Sequence, residues 1–154
     1  MFNRAEIVDK NFTQSLKLNI FPKSRIDVKY DTLGFNNKKL IQIFESQISS
    51  RHIDLRARIL KEAGDCFYTI GSSGHEGNAV FGHIFPYTDM AFLHYRSGPF
   101  FIERSKQINN TTPIYDLALS FVASSEDPIS GGRHKVIGSK LLNIPPQTLS
   151  LIHI

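Results

Sequence analysis

The longest periodic segment of the chain covers residues 37–63 and reads NKKLIQIFESQISSRHIDLRARILKEA. Apolar residues recur within it at spacings of three, four and seven positions, which places them on one face of an α-helix. Asn36 and Asn37 can cap the first turn, and Gly64 is suited to end the last one. We therefore predict a single helix over 37–63 whose apolar face packs on the rest of the domain. That face consists of Leu40, Phe44, Ile48, Leu55 and Ile59.

The segment before this helix shows little regular pattern. Pro22 interrupts it, and the alternation of Ile26, Val28 and Tyr30 favours at most one short strand. We therefore expect residues 1–35 to form an irregular N-terminal arm.

Short elements are predicted after the long helix. The runs at 66–70 and 90–93 are aromatic or continuously apolar, and each predicts a short strand. Residues 75–84 and 99–108 predict short helices, and another helix is expected from Thr112 onward. Short strands that alternate with helices indicate an α/β domain.

The composition is that of one ordinary globular domain. The chain has 154 residues, of which 41% are hydrophobic and 21% are charged. No apolar run approaches the roughly 20 residues that a membrane span requires, and no signal-peptide pattern follows Met1. Cys66 is the single cysteine, so we expect a buried thiol and no internal disulfide. These features favour a cytoplasmic protein without membrane association.

The net charge of +4 at pH 7 does not indicate a nucleic-acid-binding protein. The basic residues are scattered along the chain, and they form no dense stripe with interleaved aromatic residues. A mildly basic chain is better matched to an acidic cofactor or an acidic partner subunit.

Three short patches rich in glycine or in hydrogen-bonding groups follow apolar segments. They lie at 74–77 (GHEG), at 85–87 with 94–96 (FPY and HYR), and at 127–133 (DPISGGR). Loops at the ends of elements commonly supply binding sites in this way.

The second patch has the clearest chemistry. Arg96 offers a planar, permanently charged donor that suits phosphate oxygens, and the hydroxyl of Tyr95 can donate a further bond. We expect both residues at the C-terminal end of the strand at 90–93, facing an open cleft, because ligand sites of α/β sheets lie at strand C-termini.

Each patch taken singly also has an ordinary structural explanation. A structural salt bridge would equally account for Arg96, and a flexible turn would account for the glycines before Arg133. Residues 71–74 lack the following Gly-Lys-Ser/Thr of a phosphate-binding Walker loop. His75 and Glu76 lack the second histidine of a zinc-binding helix, so we predict no metal site there.

In combination and in this order, the patches resemble the α-subunit or α-half of thiamine-diphosphate-dependent 2-oxo acid dehydrogenases. The likeness runs from about residue 53 to residue 133. It is closest to the bacterial branched-chain type, often a fused α/β chain. The residues that carry it are Ile53-Asp54-Leu55-Arg56-Ala57-Arg58, Gly74-His75-Glu76, the stretch from Phe85-Pro86-Tyr87 to His94-Tyr95-Arg96, and Asp127-Pro128-Ile129-Ser130-Gly131-Gly132-Arg133.

The resemblance implies a fold and a set of site residues. The fold would be the N-terminal, largely helical part of a thiamine-diphosphate-binding three-layer α/β fold, in truncated form. Tyr95 and Arg96 match the family's diphosphate-binding pair, and His94 lies in the same cofactor-binding stretch. Tyr68 and Tyr95 would line the substrate pocket, whereas Glu76 matches a glutamate whose role is structural. The catalytic residues stay unknown.

The implied activity is the oxidative decarboxylation of a 2-oxo acid, with a branched-chain substrate as the closest match. Thiamine diphosphate would supply the carbanion chemistry, with Mg²⁺ at its diphosphate. The acyl group would then pass to a lipoyl arm on the acyltransferase. The partners would be the β-subunit or β-half, that acyltransferase and a small 2-oxo acid, in a homo- or hetero-oligomer when the protein is full length.

Two departures from the family pattern concern the C-terminal part. Gly138 stands where the family has a histidine, and His134 is the nearby residue that would substitute for it. The Gly-Asp-Gly…Asn motif that holds Mg²⁺ is missing, so we expect the metal ligands outside this chain. We therefore expect a partial domain over 36–148, a non-native tail over 149–154, and no activity from the fragment alone.

Two other functions agree with the same residues. One is a non-enzymatic anion-binding or interaction domain of the same fold that uses its Tyr-Arg loop for a partner. The other is a different thiamine-diphosphate enzyme, such as a relative of transketolase. A Gly-Asp-Gly motif followed by Asn in the genomic sequence beyond Thr148 would favour the dehydrogenase.

Overall fold

The computed structural model of the protein describes residues 4–21, 33–67, 69–133 and 136–146. The chain divides into two compact units, Met1–Asn36 and Asn37–Ile154. The described residues form five α-helices. None of these five helices combines the length and the apolar character needed to cross a membrane.

The N-terminal unit contains a helix that the sequence pattern did not predict. Helix α1 spans Arg4–Leu18, and an ion pair of 2.6 Å joins Glu6 to Lys10 one turn later. The prediction of an irregular arm over 1–35 is wrong for this segment, because no glycine or proline interrupts the helix. The short strand expected at 26–30 lies outside the described residues.

The long helix of the second unit has the bounds predicted from the sequence. Helix α2 spans Asn37–Ala63. Gly64 follows it with a φ of 89°, a left-handed conformation that costs glycine little. The Gly64 N–H donates to the Lys61 carbonyl at 3.1 Å. The Asp65 N–H donates to the Leu60 carbonyl at 2.9 Å, so two carbonyls at the helix end are satisfied.

The buried face of α2 is not the apolar face that the sequence pattern predicted. Phe44 is 47% exposed and Ile59 is 54% exposed. The helix buries a mixed face instead, because α4 and the loop at 71–74 present hydrogen-bonding groups to it. This face consists of Ile43, Ser46, Ser50, Ile53, Asp54 and Ala57.

Three short helices complete the second unit: α3 at Asn78–Ile84, α4 at Gly98–Ser105 and α5 at Pro113–Phe121. The helices predicted in these regions are confirmed, although α3 and α4 are shorter than predicted. Proline stands in the first turn of α4 and of α5, where its missing N–H breaks no helical bond.

Helix α4 is the centre of this unit. All eight of its residues are buried, and it contacts α2, α3 and α5. The apolar core gathers around it and extends to the segment after α5. It consists of Ile53, Ala57, Leu93, Phe100, Phe101, Ile102, Leu117, Phe121, Ile137, Leu142 and Ile144.

The prediction of short strands at 66–70 and 90–93 is wrong for the described residues of both runs. The described ranges contain no β-strand, and their extended pairing is limited to one antiparallel bridge between Ser139 and Ile144. An apolar run becomes a strand only where a neighbouring backbone pairs with it along its length, and the described residues supply no such neighbour. The regular secondary structure of the described residues is helical, in agreement with the largely helical part of a fold that the resemblance implies.

Candidate functional site

Two of the three sequence patches meet beside the start of α4. The ring of His75, from the first patch, stacks on the ring of His94, with centroids 6.3 Å and planes 16° apart. The ring of His94 also lies against that of Tyr95, with centroids 3.7 Å apart. Nη1 of Arg96 donates to the Gly71 carbonyl at 2.9 Å, which ties the second patch to the loop before the first.

A tight turn at 94–97 sets the positions of these side chains. The Ser97 N–H donates to the His94 carbonyl at 2.8 Å, and the Arg96 N–H donates to His94 Nδ1 at 3.2 Å. Because Nδ1 is the acceptor, the neutral imidazole of His94 carries its proton on Nε2. Pro99 then lies in the first turn of α4, where its fixed φ favours the helix.

The 71–74 loop is anchored by a buried carboxylate of α2. Asp54 Oδ2 accepts hydrogen bonds from the N–H and the Oγ of Ser72, each at 2.7 Å. The hydroxyl of Ser50, one helical turn earlier, donates to Ser72 Oγ at 2.9 Å. All three side chains are buried, where an unpaired polar group would be costly. Gly71 fits beside them because a Cβ there would lie 2.7 Å from the carboxyl carbon of Asp54.

Arg51 and Glu76 hold the other side of the same loop. Glu76 Oε2 accepts from the Gly74 N–H at 2.8 Å, and Glu76 Oε1 lies 3.5 Å from Arg51 Nε. Arg51 Nη1 donates to Asp54 Oδ2 at 3.0 Å, so one arginine connects two carboxylates. These contacts shape the loop and agree with the structural role that the resemblance implies for Glu76.

The guanidinium of Arg96 is half-buried and forms no ion pair within the described part of the chain. Its Cζ lies 5.6 Å from the centroid of the Tyr95 ring, and its Nε and Nη2 have no hydrogen-bond partner among the described residues. Burial lowers the pKa of His94, and the charges of Arg96 and His75 lower it further. A cation with no counter-charge among the described residues therefore stands beside neutral hydrogen-bonding groups, which is the chemistry of an anion-binding site.

The surroundings of Tyr95 and Arg96 differ from those predicted. The two residues lie in the turn before α4 and not at the end of a strand, so that part of the prediction is wrong. Tyr95 lines a narrow cavity of about 10 Å³, roughly the room that one water molecule needs. Ser50 and Asp54 line the same cavity. The open cleft expected at Arg96 stays a prediction.

The third patch, 127–133, forms a turn of its own. Asp127 is buried, and its carboxylate accepts from the Ile129 N–H at 3.0 Å and from the hydroxyl of Ser130. Arg133 is exposed. Among the described residues, no hydrogen bond, ion pair or ring contact joins this turn to the other two patches.

Gly138, at the position of the family's histidine, is enclosed by its neighbours. A Cβ there would lie 2.9 Å from Ile129 Cγ2 and 3.2 Å from the Ile144 carbonyl oxygen. A histidine at this position would therefore require the Ile129 side chain to move, and the backbone at Ile144 to give slightly. His134 and Tyr68 lie outside the described residues, so the roles expected for them stay predictions.

Sequence reasoning missed the buried polar residues that support the site. Ser46, Ser50 and Asp54 recur every four residues along α2, and each is hydrogen-bonded to another element. The Ser46 hydroxyl, for example, donates to Glu103 Oε2 at 2.6 Å. The regular spacing was visible in the sequence, but polar positions of a helix are ordinarily assigned to its solvent-facing side.

No family model, curated protein or solved structure matches this chain. Within the described ranges, no group of three or more His, Cys, Asp and Glu side chains could hold a metal ion. The resemblance to 2-oxo acid dehydrogenases therefore rests on the quoted residues alone.

Proposed function

We propose that this chain is the N-terminal, largely helical part of the α-subunit or α-half of a thiamine-diphosphate-dependent 2-oxo acid dehydrogenase of the branched-chain type. The observation that supports it most directly is the turn that presents Arg96 beside Tyr95 and His94, with two guanidinium nitrogens that no described residue pairs. These residues match the family's diphosphate-binding stretch in kind and in order. The complete protein would have the three-layer α/β fold.

The donors at this turn fit the diphosphate of the cofactor. Diphosphate oxygens accept several hydrogen bonds, and Arg96 offers a fixed charge with donors on Nε and Nη2 that no described residue engages. The Tyr95 hydroxyl and the Nε2–H of His94 are neutral donors next to it. When bound, thiamine diphosphate supplies the carbanion chemistry of decarboxylation, and these residues hold and orient it. The Mg²⁺ ligands of the proposed enzyme lie outside this chain.

The proposal also covers the substrate and the partners. Tyr68 and Tyr95 are the candidates for contact with a branched-chain 2-oxo acid. The β-subunit or β-half and a lipoyl-bearing acyltransferase would complete an oligomeric complex, which we assign to the cytoplasm.

The test is release of carbon dioxide from 3-methyl-2-oxobutanoate and from pyruvate, with thiamine diphosphate and Mg²⁺ present. We expect turnover by the full-length gene product and none by the 154-residue chain alone. In the full-length enzyme, Arg96→Ala should raise the Kd of thiamine diphosphate about 10- to 100-fold, because a charge-assisted hydrogen bond contributes about 1.5–3 kcal/mol. Its kcat at saturating cofactor should change much less.

Arg56→Ala is the matched control, since Arg56 is an exposed arginine of α2. Its Kd for thiamine diphosphate should equal that of the wild type. Turnover by the purified 154-residue chain would contradict the expectation that it is a partial domain without activity of its own. A full-length protein that decarboxylates no 2-oxo acid would contradict the proposed activity.

A non-enzymatic anion-binding domain is the second candidate. It is favoured by the donors themselves, because a guanidinium with two unpaired nitrogens recognises phosphate groups in general. This function predicts that pyrophosphate binds as tightly as thiamine diphosphate and that Arg96→Ala weakens both equally. The dehydrogenase predicts tighter binding of the complete cofactor.

A further inference from the structure

A cavity bordered by α3, α4 and the segment at 85–93 differs in character from the site around Arg96. Its volume is about 520 Å³. Its wall is mainly aromatic and aliphatic, and several of its side chains are partly exposed, so the cavity opens to solvent. The main apolar wall residues are Phe81, Phe85, Met90, Phe92, Leu93 and Phe100.

Arg104 forms part of this wall although its side chain is fully buried. Its Nη2 donates to the main-chain carbonyls of Pro86 and Asp89, the second at 2.7 Å. Its Cζ lies 5.1 Å from the centroid of the Phe100 ring. Nε and Nη1 have no hydrogen-bond partner in the described part of the chain, and no described carboxylate forms an ion pair with this guanidinium.

The neighbouring Glu103 shows how a buried charge is satisfied in this protein. Its carboxylate accepts from Gln42 at 2.7 Å and from Ser46 at 2.6 Å, and it lies 2.9 Å from His83 Nδ1. Arg104 has no comparable set of partners. Because buried polar groups nearly always have partners, two unpaired nitrogens on one buried cation indicate a partner that the described residues do not supply.

We propose that this cavity binds an organic anion with an apolar body and a single carboxylate. The carboxylate accepts a hydrogen bond from Nη1 or Nε of Arg104, and the body lies against Phe81, Phe85 and Phe92. An apolar wall of this size with one charged group is typical of small-ligand sites, which span about 300–1,000 Å³. Asp89 also lines the cavity, and its negative charge disfavours ligands with several negative charges.

The route to the guanidinium passes through the wall. Nε and Nη1 are buried, so the ligand reaches them when a ring of the wall turns aside. Phe81 and Phe92 are 53% and 59% exposed, which leaves them room to rotate. We therefore expect binding to move these rings as well as the arginine.

Octanoate is the probe for this site, and octan-1-ol is its matched control, with the same chain length and no charge. Each is titrated into the ¹⁵N-labelled 154-residue chain, and the Arg104 Nε–H resonance is followed. We expect saturable octanoate binding about tenfold tighter than that of octan-1-ol, with a shift of this resonance that octan-1-ol does not cause. Equal affinities, an unmoved resonance or no saturation by octanoate would overturn the proposal.

A substitution in the cavity wall tests the proposal without changing Arg104, whose variants would lose a buried side chain and could fail to fold. Phe92→Ala removes a partly exposed ring and should weaken octanoate binding about three- to tenfold. Tyr115→Ala is the control, because Tyr115 is 58% exposed on α5 and does not line the cavity. Octanoate affinities that fall equally in both variants would show that the ligand does not bind here.

Discussion

The arginine of the candidate site is positioned by a carboxylate that it does not contact. Asp54 holds Ser72 through two hydrogen bonds, and the carbonyl of the adjacent Gly71 accepts from Arg96. Donors from Ser72 and Arg51 replace the water that the carboxylate loses on burial. At the residue scale, the direction of the Arg96 guanidinium is therefore decided on α2, through the loop at 71–74.

At Gly71 a methyl group has no room, since its carbon would lie 2.7 Å from the carboxyl carbon of Asp54. We expect Gly71→Ala to lower the free energy of unfolding by about 1–3 kcal/mol. Gly77→Ala is the matched control, because its φ is −58° and nothing lies within 4 Å of a Cβ there. It should change stability by less than about 1 kcal/mol. Urea denaturation measures both, and equal stabilities would contradict the close approach at Gly71.

At the scale of elements, α2 shows that burial follows the partner surface. Its buried positions include Ser46, Ser50 and Asp54, because Glu103 and the 71–74 loop offer them hydrogen-bond partners. Apolar residues of the same helix remain partly exposed. The spacing of apolar residues therefore predicts the presence of a helix well, but it predicts less well which face of the helix is buried.

Two adjacent residues of α2 test this arrangement. Ile43 is 5% exposed and Phe44 is 47% exposed. We expect Ile43→Ala to lower the free energy of unfolding by about 2–5 kcal/mol, because it leaves a cavity in the core. Phe44→Ala should cost less than about 1 kcal/mol, whereas the apolar pattern alone predicts about 3–5 kcal/mol at that position. If urea denaturation shows that Phe44→Ala lowers the free energy of unfolding by about 3–5 kcal/mol, the apolar face predicted from the sequence is buried after all.

At the scale of the whole second unit, two of the buried charged side chains stand next to each other in its central helix. Glu103 and Arg104 are consecutive residues of α4, and both side chains are buried. The carboxylate of Glu103 joins α2 to α3 through Ser46, Gln42 and His83. This connection makes the stability of the unit depend on the charge of one residue.

The pH dependence of stability follows from this carboxylate. Burial by itself raises the pKa of Glu103, but hydrogen bonds from Ser46, His83 and Gln42, with the charge of Lys106, together lower it below its ordinary value. A carboxyl with a lowered folded-state pKa adds stability that is complete above its unfolded pKa of about 4.3 and is lost as the pH falls through the folded value.

We therefore expect the stability gap between wild type and Glu103→Gln to be widest at neutral pH. It should narrow as the pH falls below about 4.3, because the wild-type carboxyl becomes protonated. Urea denaturation at a series of pH values measures the gap. Glu62→Gln, at an exposed position of α2, should show no such trend. A gap for Glu103→Gln that stays constant with pH would contradict the depressed pKa.

The proximity of two of the three patches could be predicted, but the residues that support them could not. Tyr95, Arg96 and the 74–77 patch were visible as motifs, and the contact of His75 with His94 brings the two patches together as expected of one site. Asp54 was visible only as part of the resemblance. Its role depends on the position of Ser72, which no local pattern encodes.

The sequence by itself determined the bounds of α2 and the existence of three short helices after it. These features depend on residues close in the chain: an apolar period, a proline in a first turn and a glycine after a last one. Only the tertiary structure decided which face of α2 is buried, that the described residues of the runs at 66–70 and 90–93 do not pair as strands, and that Nε and Nη1 of Arg104 have no hydrogen-bond partner among the described residues. These outcomes depend on what neighbouring elements present, and hydrogen-bond partners distant in sequence outweigh a local preference for burying apolar side chains.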